Sequence, residues 1–134
     1  FLAIGLFDAG SPLRVRVLHA GAPAKVDEAW WRKRLLDAID RRQSIAGPDT
    51  TGLRYVNGES DGWPGLVLDR YDDVFVLKLY TAAWLPWLGN VTRWIEEEVR
   101  PASLVLRMSR NMQQEAVSQF QLNDGQMLMG KPVH

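Results

Sequence analysis

The chain has 134 residues, and its 16 Lys+Arg are balanced by 16 Asp+Glu, so it is no general binder of polyanions and any basic surface must be local. Hydrophobic residues at 46% and charged residues at 24% describe a globular chain of one domain, or two small ones, and exclude a disordered one. The absence of cysteine excludes disulfides, thiolate metal sites and cysteine nucleophiles within these residues; there is also no signal-peptide pattern and no apolar run of membrane-spanning length, so a cytoplasmic protein without membrane contact is expected.

The first segments read as strands. Leu2–Phe7 and Leu13–Leu18 are short apolar runs separated by Asp8-Ala9-Gly10-Ser11-Pro12, whose Gly, Ser and Pro mark a turn. Arg14 and Arg16 alternate with Leu13, Val15 and Val17, which puts both arginines on one strand face. Ala20–Ala24 is a Gly/Pro linker. Asp27 is placed to cap a helix in which Trp31, Leu35, Ala38 and Ile39 recur at helical spacing, with Arg32, Lys33, Arg41 and Arg42 on the opposite face. That basic face is either solvated or a phosphate-contacting surface. The loop Ala46–Gly52 is the better domain boundary. Phe1 is not an initiator methionine, and His134 follows Gly-Lys-Pro with no closing element, so both ends are expected to be cuts from a longer protein.

From Leu53 the pattern changes. Leu53–Glu59 reads as a strand, Ser60–Gly65 as a dense turn, Leu66–Tyr71 and Val74–Thr81 as a hairpin about Asp72-Asp73. Ala82–Val99 carries Trp84, Leu88, Val91, Ile95 and Val99 in one stripe and reads as a helix, with Pro86 in its first turn and Pro101 ending it. Ser103–Met108 is a further strand. Asn111–Gln119 is polar and its state is left open; Phe120–Leu122 and Met127–Met129 read as short strands about Asn123-Asp124-Gly125. The fold class is α+β, with a β-β-β-α-β(β) module from Leu53 onward.

A site of chemistry is hard to find in this pattern. Gly58, Gly62 and Gly65 lie close together, but a strand follows them, whereas a nucleotide or S-adenosylmethionine (SAM) cradle wants a glycine turn leading into a helix. Glu59, Asp61 and Asp69 cluster near the hairpin; carboxylates in turns commonly cap amides or pair with arginines such as Arg54 and Arg70. His19 and His134 stand alone, without metal-ligand spacing, and no serine has a His–Asp set beside it. No catalytic, cofactor-binding or metal-binding residue is therefore assigned. Of the six tryptophans, Trp63, beside Pro64 in the turn, is expected to be the exposed one, with RNA or another domain as what it meets; it is a candidate RNA contact.

The segment Leu53–Tyr71, Leu-Arg-Tyr-Val-Asn-Gly-Glu-Ser-Asp-Gly-Trp-Pro-Gly-Leu-Val-Leu-Asp-Arg-Tyr, resembles the R-x-V-N-G-E-x-D-G-x-P-G-L-x-x-D-x-Y signature of the PUA-containing 23S rRNA cytosine-C5 methyltransferases. Asn57, Gly58, Glu59, Asp61, Gly62, Pro64, Gly65, Asp69 and Tyr71 are the positions that carry it; Trp63 stands where a leucine is common. Upstream, Ala9–Leu18 is similar to the end of that family's PUA domain, and the helix with Arg34, Leu35 and Ala38 to its connecting helix. The resemblance implies residues 1–24 as the last strands of a PUA-like domain, 25–52 as a basic linking helix and loop, and 53–134 as a central module preceding a SAM-binding domain absent from these residues. The family's nucleophilic cysteine, which attacks C6 of cytosine, would lie in that absent part.

The resulting expectation is an RNA-positioning and linker portion of a SAM-dependent methyltransferase, inactive by itself. Structured RNA, ribosomal by resemblance, is the partner, with Arg14, Arg16, Arg32, Lys33, Arg41 and Arg42 as phosphate contacts. SAM belongs to the full-length protein. The alternatives are a stand-alone RNA-binding module and a homodimerisation module whose tryptophans and hairpin edge are self-complementary.

Overall fold

The structure is a computed structural model and describes residues 3–7, 15–20, 26–43 and 52–130. Two strands, β1 (Ala3–Phe7) and β2 (Val15–Ala20), pair antiparallel in a sheet of their own, with a register shift at Ile4/Gly5. Helix α1 spans Glu28–Gln43 and begins as the sequence suggests, because the Asp27 carboxylate accepts the Trp30 N–H at 2.9 Å and so satisfies one of the free amides of the first turn.

The second sheet has five strands in the order β3 (Gly52–Asn57), β4 (Leu66–Tyr71), β5 (Val74–Leu79), β6 (Ser103–Met108) and β7 (Met127–Met129). All neighbours are antiparallel except β5 and β6, which run parallel, Val74 opposite Ser103 and Leu79 opposite Met108. Parallel neighbours need a crossover. Here it is a 3-10 segment, Ala82–Trp87, followed by helix α2 (Leu88–Val99). The single helix expected over Ala82–Val99 is thus divided, and Pro86 is the reason. Proline has no N–H for the Ala82 carbonyl and its ring clashes with that carbonyl in an α-helix, so the chain tightens until the proline is past. Thr81 starts the segment by accepting the Ala83 N–H on its hydroxyl. Arg100, in the left-handed region at φ 54°, closes α2 just before Pro101.

Two further expectations change. Asn111–Gln119, left open from sequence, lies inside helix α3 (Arg110–Phe120), and Phe120–Leu122 is the end of that helix and its exit, not a strand. Met112 and Ala116 are its buried residues and Phe120 is partly buried, a stripe of period four on an otherwise polar helix.

Pleating sorts the large sheet into two faces. Leu66, Leu68, Leu77, Leu79, Leu104, Leu106 and Met108 lie on one face, fully or almost fully buried, and join Trp31, Leu35, Ala38 and Ile39 of α1 and Val91, Trp94 and Ile95 of α2 in one core. The opposite face presents Val67, Asp69, Val76, Lys78, Val105 and Arg107, of which only Val67 and Asp69 are buried. The mixed α/β architecture is therefore a five-stranded sheet with helices on one face.

Candidate functional site

The segment that carries the sequence signature is a turn that fastens α1 to the sheet. Residues Gly58–Asp61 form one 3-10 turn and Gly62 follows at φ 76°. The Asp61 carboxylate, 2% exposed, accepts the Asn57 N–H at 2.7 Å and guanidinium N–H groups of Arg41 and Arg42, each at 2.8 Å. Glu59 accepts the Gly65 N–H at 3.1 Å. Arg34 donates to the Gly62 carbonyl at 2.7 Å and lies 3.9 Å over the Trp30 ring. Burial lowers the pKa of that guanidinium from its usual value. The left-handed φ of Gly62 is one that side chains resist, and a Cβ there would also push the Arg34 guanidinium from its place on the Gly62 carbonyl.

Trp63 is corrected by this geometry. The sequence suggests an exposed indole that meets RNA or another domain; it is 1% exposed. Its ring centroid lies 4.6 Å from Trp31, 5.6 Å from Trp84 and 6.3 Å from Trp94. A base cannot reach an indole packed on these neighbours. Proline at the next position helps build the pocket: the Trp84 indole N–H donates to the Pro64 carbonyl at 2.7 Å. The one tryptophan with half its surface open is Trp87, at 52%. It stands at the mouth of a cavity of about 220 Å³ with Leu6, Trp31, Trp84 and Trp94 in its walls.

The basic face of α1 is largely neutralised within the chain. Arg41 and Arg42 share Asp61. Arg32 pairs with Glu97, with Glu28 at 3.4 Å and with Glu98 at 3.8 Å, so it ties α1 to α2. Glu28 is held below the usual carboxylate range first by the Trp94 indole N–H, then by Arg93 and Arg32. Lys33 is exposed and enters none of the ion pairs found among the described residues. Arg14 lies outside the described residues; Arg16 is in β2, but its side chain lies outside them. The loop 46–51, residues 8–12 and His134 lie outside them as well.

On the other face of the sheet Asp69 is the buried charge. Burial pushes its pKa up, but hydrogen bonds and charge from Arg54 and Lys78 outweigh that and hold it below the usual value. Arg54 reaches it at 2.8 Å and Lys78 at 3.0 Å. The bond to Asp69 in turn raises the Arg54 pKa. Tyr71, 52% exposed, closes the strand, and Arg70 bonds the Tyr55 hydroxyl at 3.1 Å.

The described residues do not fit a SAM cradle. The glycine turn leads into β4, its inner side is filled by Arg34 and Trp63, and its carboxylates are occupied by arginines and backbone amides. Among the described residues no three His, Cys, Asp or Glu side chains gather as metal ligands, and no helix is long and apolar enough to cross a membrane.

No family model matches the chain. Over 136 aligned residues it is 50% identical to a ribosomal RNA large subunit methyltransferase of Deinococcus radiodurans, covering 98% of this chain and 33% of the relative. It is 37% identical over 83 residues to ribosomal RNA large subunit methyltransferase I of Aliivibrio fischeri, covering 61% of this chain and 21% of that protein. In fold it matches a candidate SAM-dependent methyltransferase from Streptococcus mutans, TM-score 0.77 at 15% identity, over 100% of this chain and 33% of the other. A second solved structure, described as a candidate methyltransferase complexed with SAH, matches at TM-score 0.78 and 16% identity, over 99% of this chain and 32% of the other. The chain spans about a third or less of these proteins. Its relatives in sequence are thus rRNA large subunit methyltransferases, and the likeness is to a part of them.

Proposed function

We propose that these residues position ribosomal RNA for, and link it to, a SAM-dependent methyltransferase centre built from residues outside this chain. The observation that carries this reading is the 50% identity over 98% of the chain to an rRNA large subunit methyltransferase of which it covers only 33%. The signature segment Leu53–Tyr71 supports cytosine C5 as the modified atom, in the sense of the family it resembles. The lack of cysteine fits a nucleophile supplied elsewhere. Residues 1–24 are read as the end of a PUA-like domain, 25–52 as the connecting helix and 53–134 as the central module; the separate two-stranded sheet of β1 and β2 supports the first of these boundaries. Helix α1 shares the core of the central module, so the connection it makes is a rigid one. A ribosomal substrate supports the cytoplasm as the place where the protein works.

The role of this part is mechanical and electrostatic. It holds a rigid frame, and its uncommitted cations neutralise phosphates. Lys33 is such a cation on α1, with Arg14 and Arg16 as further candidates. Two assays test the reading. Incubated with labelled SAM and rRNA, the chain should transfer no methyl groups; turnover overturns the non-catalytic role. In a salt titration it should bind an rRNA hairpin with log K falling against log salt; no binding at low salt overturns the RNA role.

A further inference from the structure

We propose that a cleft at the carboxyl ends of β5 and β6 is a phosphate-binding site for the RNA backbone, a proposal that rests on the RNA reading above and names its contact. The cleft has a volume of about 270 Å³ and is lined by Lys78, Leu79, Tyr80, Arg107, Met108 and Ser109. Its place follows from topology. β5 and β6 are the one parallel pair among the described strands, and chain segments leaving the carboxyl ends of parallel strands diverge and open a crevice there. Tyr80 leaves β5 bonded to the Gly65 carbonyl, and Ser109 leaves β6 bonded to the Leu79 carbonyl, so the two rims are fixed.

Charge selects the ligand. Lys78 and Arg107 are directly opposite one another in register, so their side chains leave the same face of the sheet side by side. Like charges in that position repel unless something negative lies between or beside them. Asp69 accepts from Arg54 and Lys78, and Asp124 from Arg107, so among the described residues these three cations meet two carboxylates and carry one positive charge in excess. The contacts of Arg107 among the described residues engage only its Nε, and its side chain is 58% exposed. Tyr80 is 46% exposed, and its ring lies near enough to Arg54 to add to the raising of that guanidinium's pKa. Helix α3 starts at the Ser109 rim with no acidic residue in its first turn, and the Ser109 hydroxyl bonds Asn111 instead of capping the helix, which adds a weaker positive end. A lining that holds a lysine, an arginine with an open guanidinium edge and a tyrosine suits a tetrahedral oxyanion. The cations of α1 that Asp61, Glu97 and Glu98 neutralise offer no such surplus.

The test is a titration of the isotope-labelled chain, followed by NMR at the amides of Tyr80, Ser109 and Arg110, once with inorganic phosphate and once with an rRNA hairpin. Both should move these amides. Arg107→Gln should weaken hairpin binding about tenfold and reduce the slope of log K against log salt by about 1, while Arg107→Lys keeps most of both. Phosphate shifts without RNA shifts would assign the cleft to a free anion and overturn the RNA contact. Hairpin binding unchanged in affinity and slope in the Lys78→Gln/Arg107→Gln double variant, or lost instead in Lys33→Gln, overturns the cleft and leaves the RNA reading standing. Absence of hairpin binding by the unmodified chain overturns that reading, and phosphate shifts at the same amides would then leave an anion site. Should the double variant unfold because Asp69 loses a partner, the exposed Arg107→Gln substitution alone decides.

Discussion

The two faces of the five-stranded sheet use charge in opposite ways. On the helix-covered face, ionic groups serve as fasteners: Asp61 is 2% exposed and is saturated by Arg41, Arg42 and the Asn57 amide. On the open face, Asp69 is equally buried but its partners Arg54 and Lys78 remain partly solvated, and Arg107 beside them is more exposed still. The comparison teaches that a row of arginines in sequence says little about where a polyanion binds. What matters is which cations the fold has left uncompensated.

Several substitutions would break or sharpen this contrast. Trp63→Ala removes an indole that meets three others and should cost about 3–5 kcal/mol in chemical denaturation, as large core truncations do; a loss under 1 kcal/mol, on the order of a surface change, would mean the cluster does not hold the covered face together. Asp61→Ala removes the acceptor that joins Arg41, Arg42 and the Asn57 amide, and a loss of about 2–4 kcal/mol is expected by the same measurement. On the open face the expected effect is one of pH. The folded pKa of Asp69 is depressed, so its contribution is present above the unfolded value of about 3.9 and is lost as pH falls through the folded value. Denaturation midpoints measured across the acid range should therefore fall less steeply in Asp69→Asn than in the unmodified chain; parallel curves would remove Asp69 from the account. The smallest effect is expected for Arg41→Gln. Its side chain is 51% exposed, so stability should change by less than about 1 kcal/mol and the salt slope of RNA binding not at all, in contrast to Arg107→Gln. A drop in slope for Arg41→Gln would return the helix face to the RNA surface.

Much of the frame was legible from residues alone. β4 and β6 begin and end where alternation and turn residues put them, and Asp27 caps α1 as its position suggests. Helix α3 was not legible because its apolar stripe is only Met112, Ala116 and Phe120; the sign that could have found it is their spacing of four among Gln and Glu, which are good helix formers. The surroundings of the candidate side chains were less legible. Trp63 looked exposed because Gly and Pro flank it, yet turn residues bend the backbone and do not decide which way a side chain falls; here three other indoles supply the pocket. The arginines of α1 looked available because their acceptors, Asp61, Glu97 and Glu98, lie about 20 to 65 residues further along. Lys78 and Arg107 belong to different strands, and only the parallel register makes them neighbours.

That parallel register also bears on the order in which the chain can assemble. β3, β4 and β5 close through adjacent turns, the second of them only Asp72-Asp73, so their pairing asks little of the chain. β6 has to wait until the segment Ala82–Val99 has wound and folded back over the sheet, and β7 then waits on β6. The late-forming half is accordingly the one that carries Arg107 and Ser109, and it is expected to open more readily than β3 and β4. Native-state amide exchange should show lower protection at β6 and α3 than at β4. The two rims of the cleft would then differ in age within the folding sequence, the Tyr80 side set early with β5 and the Ser109 side only once β6 has docked and its amide has bonded the Leu79 carbonyl.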